Sequence, residues 1–183
     1  VCSTGEFESQ APTATSNRDC TSATQCRQGQ YESAKLTDTT DTVCASTTVC
    51  HPGSFISQDV SASHDRQCTL CPVGKHQQNQ NQNSCVDCSP GTWQPATGQA
   101  SCRAHATCYA GQRQVQAGTT TVDRTCEACA MGSYSTDENA VSCDACPSGV
   151  QFQDKPGRTG CLKVTTCFSG YMETTAPTSS SDS

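Results

Sequence analysis

Two groups of four cysteines have the spacing of a metal site: Cys68-x2-Cys71-x13-Cys85-x2-Cys88, and then Cys126, Cys129, Cys143 and Cys146. Paired Cys-x2-Cys knuckles can hold Zn²⁺ tetrahedrally through four thiolates. The other chemistry open to the same residues is oxidation to disulfides, and three facts turn the reading that way. The framework continues through Cys20-x5-Cys26 and Cys44-x5-Cys50, where no knuckle exists. A recurring glycine belongs to each Cys-to-Cys interval, not to a four-cysteine group. The composition, with 17 Cys among 183 mostly polar residues, implies an oxidising compartment, outside the cell or in the secretory pathway. No metal and no cofactor are expected.

The remaining reactive side chains point to no catalysis. His51, His64, His76 and His105 lie in different repeats without partner spacing and read as exposed loop residues. Ser, His and Asp are abundant, but no Gly-x-Ser-x-Gly elbow occurs. Leu, Ile, Val and Phe together number 19, about a tenth of the chain, too few to build a dry catalytic pocket. The chain is therefore read as a non-enzyme. Its 11 Lys and Arg are scattered and its net charge is −6, which argues against nucleic-acid binding. No stretch approaches the roughly 18 apolar residues of a membrane span. There is no Asn-x-Ser/Thr sequon, but Ser and Thr are abundant, so an O-linked glycoprotein is an open reading.

The elements that must position these cysteines are repeats. Long gaps of 17, 13 or once 14 residues alternate with Cys-x2-Cys or Cys-x5-Cys steps. Each Cys that opens a long gap is followed three places later by Gly: Gly5, Gly29, Gly53, Gly74, Gly91, Gly111, Gly132, Gly149 and Gly170. A glycine at a fixed offset implies positive φ or close approach of another strand. Two places further on stand Phe7, Tyr31, Phe55, Trp93 and Tyr134, with His76 there once and Phe152 and Tyr171 one residue off. Arg113 breaks this rule. The aromatic is expected to lie across the disulfide and supply each unit's small core.

Long repeats end in Thr/Ser-x-x-x-Asp/Asn-x-x-Cys, at Thr13 to Asn17, Thr37 to Asp41, Ser61 to Asp65 and Thr119 to Asp123. These short polar side chains can bond backbone N–H groups and fix a turn. Short repeats instead carry Asn81, Gly98, Asn139 and Gly157 four residues before the closing Cys, residues that tolerate a left-handed turn. No helical periodicity is present, so only very short strands are expected, and residues 77–83 read as one exposed loop. If each long gap is one closed loop, the pairs are Cys2–Cys20, Cys26–Cys44, Cys50–Cys68, Cys71–Cys85, Cys88–Cys102, Cys108–Cys126, Cys129–Cys143 and Cys146–Cys161. Each loop would stabilise by about 3 kcal/mol in the chain-entropy account. Cys167 opens a ninth unit whose partner falls beyond Ser183, so the sequence reads as a piece of something longer.

These residues resemble the cysteine-rich repeats of the tumour necrosis factor receptor family. The gaps opening at Cys71, Cys88, Cys129 and Cys146 are similar to its A-type modules, Cys-x-x-Gly-x-aromatic; those opening at Cys2, Cys26, Cys50 and Cys108 are similar to its B-type modules ending Asp-x-x-Cys. The family's third cysteine is missing between Cys102 and Cys108, as is the fifth in the gap that follows. The A-like pairs also resemble the ephrin-receptor-like repeat. The resemblance implies a small disulfide-rich fold, an elongated rod of tandem modules.

The expected organisation is two long modules over 1–49, then long-short-short over 50–107 and again over 108–166, and a truncated long module from 167 to 183. Two functions fit. The first is a structural segment, a spacer or assembly module of a larger cell-surface or filament protein, because repeat units contact mainly their neighbours. The alternative is a ligand-binding receptor ectodomain, for which Tyr109 with Arg113 and Met131 with Tyr134 are candidate contacts and Trp93 a weaker one. Glu6, Glu8, Asp19 and Glu32 read as a solvated face. In either case the partners are proteins, copies of the chain or other extracellular components. Non-reducing peptide mapping should return the eight sequential pairs and no bound zinc; stoichiometric metal or bridges between adjacent long gaps would overturn the module assignment.

Overall fold

The computed structural model describes residues 1–166 and 175–182. Among these residues there is no helix; the fold is a series of tandem disulfide-closed modules, with sixteen short strands in eight two-stranded antiparallel sheets. The chain forms two compact units, one of residues 1–87 with 96–101 and one of residues 88–95 with 102–183.

In the first unit, β1 (Glu6–Gln10) pairs with β2 (Asp19–Ser22), β3 (Gln30–Ala34) with β4 (Val43–Ser46), β5 (Ser54–Gln58) with β6 (Gln67–Leu70), and β7 (Lys75–His76) with β8 (Val86–Asp87). In the second, β9 (Thr92–Trp93) pairs with β10 (Arg103–Ala104), β11 (Gln112–Gln116) with β12 (Thr125–Ala128), β13 (Ser133–Tyr134) with β14 (Asp144–Ala145), and β15 (Gln151–Phe152) with β16 (Leu162–Lys163). Long gaps give strands of five and four residues with a bulge, as between Glu8 and Gln10; short gaps give two-residue strands.

Each hairpin starts from the same local geometry. The residue after the glycine donates its N–H back three positions, as Ser54 does to His51 and Gln112 to Tyr109. Glycine at the third position of such a turn, with φ of +88° at Gly53 and +86° at Gly111, is the type II pattern. At these two sites space is also closed. A Cβ on Gly53 would overlap the Gly98 carbonyl, and one on Gly111 the Gly157 carbonyl. At Gly91 a Cβ would meet nothing, so there the backbone angle alone demands glycine. Gly170 lies outside the described residues.

The far turn differs by module type. In the long modules with Thr at this place its hydroxyl accepts from nearby amides, as Thr37 does from Thr39 and Thr40, while Ser61 faces His64 Nδ1 instead. In short modules the left-handed residue takes over, with φ of +55° at Asn81 and +58° at Asn139. Its N–H donates to the opening cysteine of the preceding hairpin, Asn81 to Cys50 and Asn139 to Cys108. Gly98 and Gly157 do the same to Cys71 and Cys129. The turn of one hairpin thus caps the start of another.

The interior is sulfur and amide more than aromatic. Cys50 and Cys71 in the first unit, and Cys108 and Cys129 in the second, are fully buried. Among the aromatics of the described residues only Phe152 is buried; Phe7, Tyr31, Phe55, Trp93 and Tyr134 are half-buried, so the expected aromatic core is a minor part of the packing there. Buried polar side chains fill the short modules. The Gln77 amide donates to the Ser84 carbonyl and accepts from the Asn79 amide, and Gln153 does the same with Gly160 and Lys155. Two-residue strands leave the turn backbone short of partners, and this amide supplies them. The segment 77–83 is therefore exposed only from Gln78 onward and is a fixed turn.

Gly91→Ala should cost about 1 kcal/mol through its backbone angle alone. Gly53→Ala and Gly111→Ala should cost clearly more, because carbonyls must also move. Hydrogen exchange resolved by module checks this: for Gly53→Ala protection should fall in the hairpin opening at Cys50 and at Gly98, whose carbonyl must move, and remain intact at Cys2–Cys20.

Candidate functional site

The chemistry of the described residues is concentrated at the joints between hairpins. The structure joins Cys2 to Cys20, Cys26 to Cys44, Cys50 to Cys68 and Cys71 to Cys85 in the first unit. In the second it joins Cys88 to Cys102, Cys108 to Cys126, Cys129 to Cys143 and Cys146 to Cys161. With their sulfurs bonded in pairs, these sixteen cysteines offer no thiolates to zinc. Cys167 lies outside the described residues.

At each Cys-x5-Cys joint a carboxylate reaches back to the linker. Asp41 accepts from the Thr24 amide at 2.8 Å and the Thr24 hydroxyl at 2.6 Å. Asp65 does so with Thr48, and Asp182 with Thr165. At the Cys102–Cys108 joint Ala106 keeps the amide hydrogen bond to Asp123, at 2.9 Å, but has no hydroxyl; His105 Nδ1 meets the same oxygen at 3.0 Å instead. From the sequence the Asp was expected to act within its own turn, and it does bond the next amide, as Asp41 bonds Thr42. Its longer reach, 17 residues back, went unseen because nothing in a linear pattern ties it to the Thr.

His105 corrects the expectation that all four histidines are exposed. Its side chain is 7% exposed. The ring lies parallel to Trp93, with centroids 6.5 Å apart, and fits where Gly118 has no Cβ. Trp93 is thereby a structural aromatic. His51 and His64 are exposed and His76 is half-buried. His64 Nδ1 faces Ser61 and Ser63 hydroxyls on an exposed turn, an arrangement that stabilises the turn and excludes no water. Glu8 departs from the solvated face assigned to it: its carboxylate takes Arg18 Nη1 at 2.6 Å. Glu6 accepts from the Ser3 amide. Asp19 is exposed and Glu32 half-buried.

A second polar device marks the two places where a long hairpin precedes a short one. Asn81 Oδ1 accepts from the Cys50 amide at 2.9 Å and from Arg66 Nη1 at 2.8 Å, and Arg66 also reaches the Thr48 carbonyl. Asn139, Cys108, Arg124 and the Ala106 carbonyl repeat the set.

Of the candidate contacts, Tyr109 and Met131 are 64% and 60% exposed, while Tyr134 is half-buried. Arg113 pairs across the hairpin with Glu127 at 3.0 Å, which explains a charge in the aromatic position.

Such a ladder of disulfide-closed hairpins defines a tandem cysteine-rich repeat protein. Residues 88–126 match the TNFR/NGFR cysteine-rich region, and residues 118–167 match the tyrosine-protein kinase ephrin type A/B receptor-like repeat. No curated protein matches the chain. A chain in the crystal structure of the mouse RANKL–OPG complex is 20% identical, aligned over 76% of this chain and 85% of that one, with a TM-score of 0.26. A chain in the human RANKL/OPG complex is 19% identical over 85% and 96%, also with a TM-score of 0.26. Both family matches are to repeats named for receptors. They favour the receptor alternative over the spacer reading placed first from the sequence, and no observation supports the filament.

The carboxylates at the joints carry a pH dependence. The Thr24 hydroxyl and then its amide hold Asp41 below the ordinary carboxyl value of 3.8. Asp65 is lowered in the same way, first by the Thr48 hydroxyl, and Asp123 first by the Ala106 amide. A carboxyl whose folded pKa is depressed stabilises the joint above its unfolded value, and that stabilisation is lost as pH falls through the folded one. The joints should therefore hold unchanged from neutral pH down to the carboxylate range. The amide-proton shifts of Thr24, Thr48 and Ala106 should each titrate with a midpoint below 3.8. Asp65→Asn should remove the Thr48 transition alone.

Proposed function

We infer that this chain is the protein-binding part of an extracellular receptor-type ectodomain, holding its ligand on side chains carried by the hairpins. The match of residues 88–126 to the TNFR/NGFR cysteine-rich region is the observation that carries the reading. The build of the modules supports it. Disulfides and main-chain bonds hold each hairpin, which leaves outward side chains available for recognition at little ordering cost. Eight disulfides suit an oxidising compartment, and no helix of the described residues is long and apolar enough to cross a membrane. The function is binding, not catalysis. The long-short-short block, 50–107 and again 108–166, is proposed as its building unit.

The contact residues assigned to it are Tyr109 and Met131, large apolar side chains left open to solvent. The disulfide-intact chain, immobilised and exposed to cross-linkable extracellular protein, should capture a defined partner. Tyr109→Ala and Met131→Ala should each weaken that partner's binding about tenfold or more without loss of the eight bridges. Antibody labels repeating along a fibre on source cells, with no captured partner, would return the spacer reading.

A further inference from the structure

The hairpins opening at Cys50 and Cys108 are copies of one another, and comparing them exposes a missing charge. Arg66 and Arg124 each stand two residues before the closing cysteine. Each sends Nη1 to the linker carbonyl and to the asparagine of the following short module. They differ at Nε. Arg66 Nε donates to Asp59 at 3.4 Å, and that carboxylate sits outermost, with 68% of its side chain exposed. The position of Asp59 is occupied in the second copy by Ala117. Arg124 Nε is accordingly enclosed with no hydrogen-bond partner among the described residues. Arg18, in the same place in the first hairpin, has Glu8.

The carboxylates nearest in sequence to Arg124 are spoken for. Asp123 is held by the amides of Ala106 and Arg124 and by His105, and Glu127 by Arg113. The same stretch of the second copy is rebuilt around His105, with Gly118 where the first copy has Val60. An enclosed guanidinium N–H without an acceptor is costly in a folded chain, and two other arginines at this position have an acid. Ala117 is exposed and carries no acceptor, so the second copy has no counterpart to the carboxylate that Asp59 supplies in the first.

We propose that Arg124 is a docking point for an acidic side chain of a protein partner, which enters over Ala117 and takes the place that Asp59 fills in the preceding copy. A carboxylate there can meet the Nε and Nη2 edge of the guanidinium as a two-pronged acceptor. The dock deepens the protein-binding reading above and rests on it for the partner's nature.

The test uses the ¹⁵N-labelled, disulfide-intact chain and the side-chain Nε–H resonances of its arginines, titrated at low salt with an acetylated hexaglutamate and with hexaglutamine as control. Arg124 should shift saturably with hexaglutamate alone, while Arg66, already capped by Asp59, stays in place. Ala117→Asp should restore the internal acid, move the Arg124 resonance toward that of Arg66, and weaken the peptide at least about tenfold. Arg124→Lys, which keeps the charge and loses the fork, should weaken it too, and salt near 0.5 M should abolish it. No shift at Arg124, or equal shifts at all arginines, would overturn the proposal. Capture of a partner that is indifferent to Ala117→Asp would sink this dock while leaving the receptor reading intact; an Arg124 response without any captured partner would do the reverse.

Discussion

Everything in this fold hangs on the opening cysteine of each module. Its sulfur closes the hairpin, and in the short-module steps its carbonyl receives the turn of the next, as Cys50 receives Asn81 and Cys71 receives Gly98. Where two modules join by Cys-x2-Cys, its amide also ends the previous hairpin: Cys71 donates to Gly53, Cys129 to Gly111 and Cys146 to Gly132. Cys71 and Cys129 thus each carry a covalent bond and main-chain bonds to either side and are fully buried, whereas Cys2 and Cys26, which open the first two modules, are half-buried. The glycine three residues later is the matching constraint. It sets the hand of the turn and, at Gly53 and Gly111, leaves room for the neighbour's carbonyl.

The joints fall into two chemical kinds. Cys-x2-Cys joints are held by main chain, with glycine amides donating across, as Gly53 does to Gln77 and Gly111 to Ser135, and where a long hairpin precedes a short one the Asn81–Arg66 and Asn139–Arg124 contacts add to it. Cys-x5-Cys joints have a longer linker that backbone pairing does not satisfy, and a carboxylate from the following turn completes it. The order of module types therefore dictates where four of the acidic residues, Asp41, Asp65, Asp123 and Asp182, are placed.

Features that depend on local geometry were readable from the residues. The gap lengths, the glycine offset, and the Thr-to-Asp and Asn or Gly turns all act within a few positions of the residue that signals them, so they repeat visibly in the sequence. Contacts between hairpins were not readable. The pairing of Asp41 with Thr24 spans a module boundary, and the burial of Gln77 and Gln153 depends on turn carbonyls whose lack of partners shows only in three dimensions. His105 was misread for a specific reason: its burial needs Gly118, Trp93 and Asp123 at once, and these lie in three separate stretches. The half-buried aromatics show the opposite error, since an aromatic at a regular offset suggests a core that two-stranded hairpins are too narrow to enclose.

The bonds that link successive hairpins run mostly from backbone to backbone, Glu8 to Asp38, Glu32 to Ala62, Ile56 to Gln82 and Gln114 to Ala140. Such bonds are blind to the identity of the side chains at their ends; the four donors here are two acids, an aliphatic and an amide. Outside the cysteines, the turn glycines and the few clasping residues, the surface is accordingly released from the work of folding. Natural selection can then revise what the surface displays, position by position, with the framework beneath it unchanged. A scaffold of this kind separates persistence of form from freedom of recognition, and divergence would accumulate first on the outward-facing residues that meet other molecules.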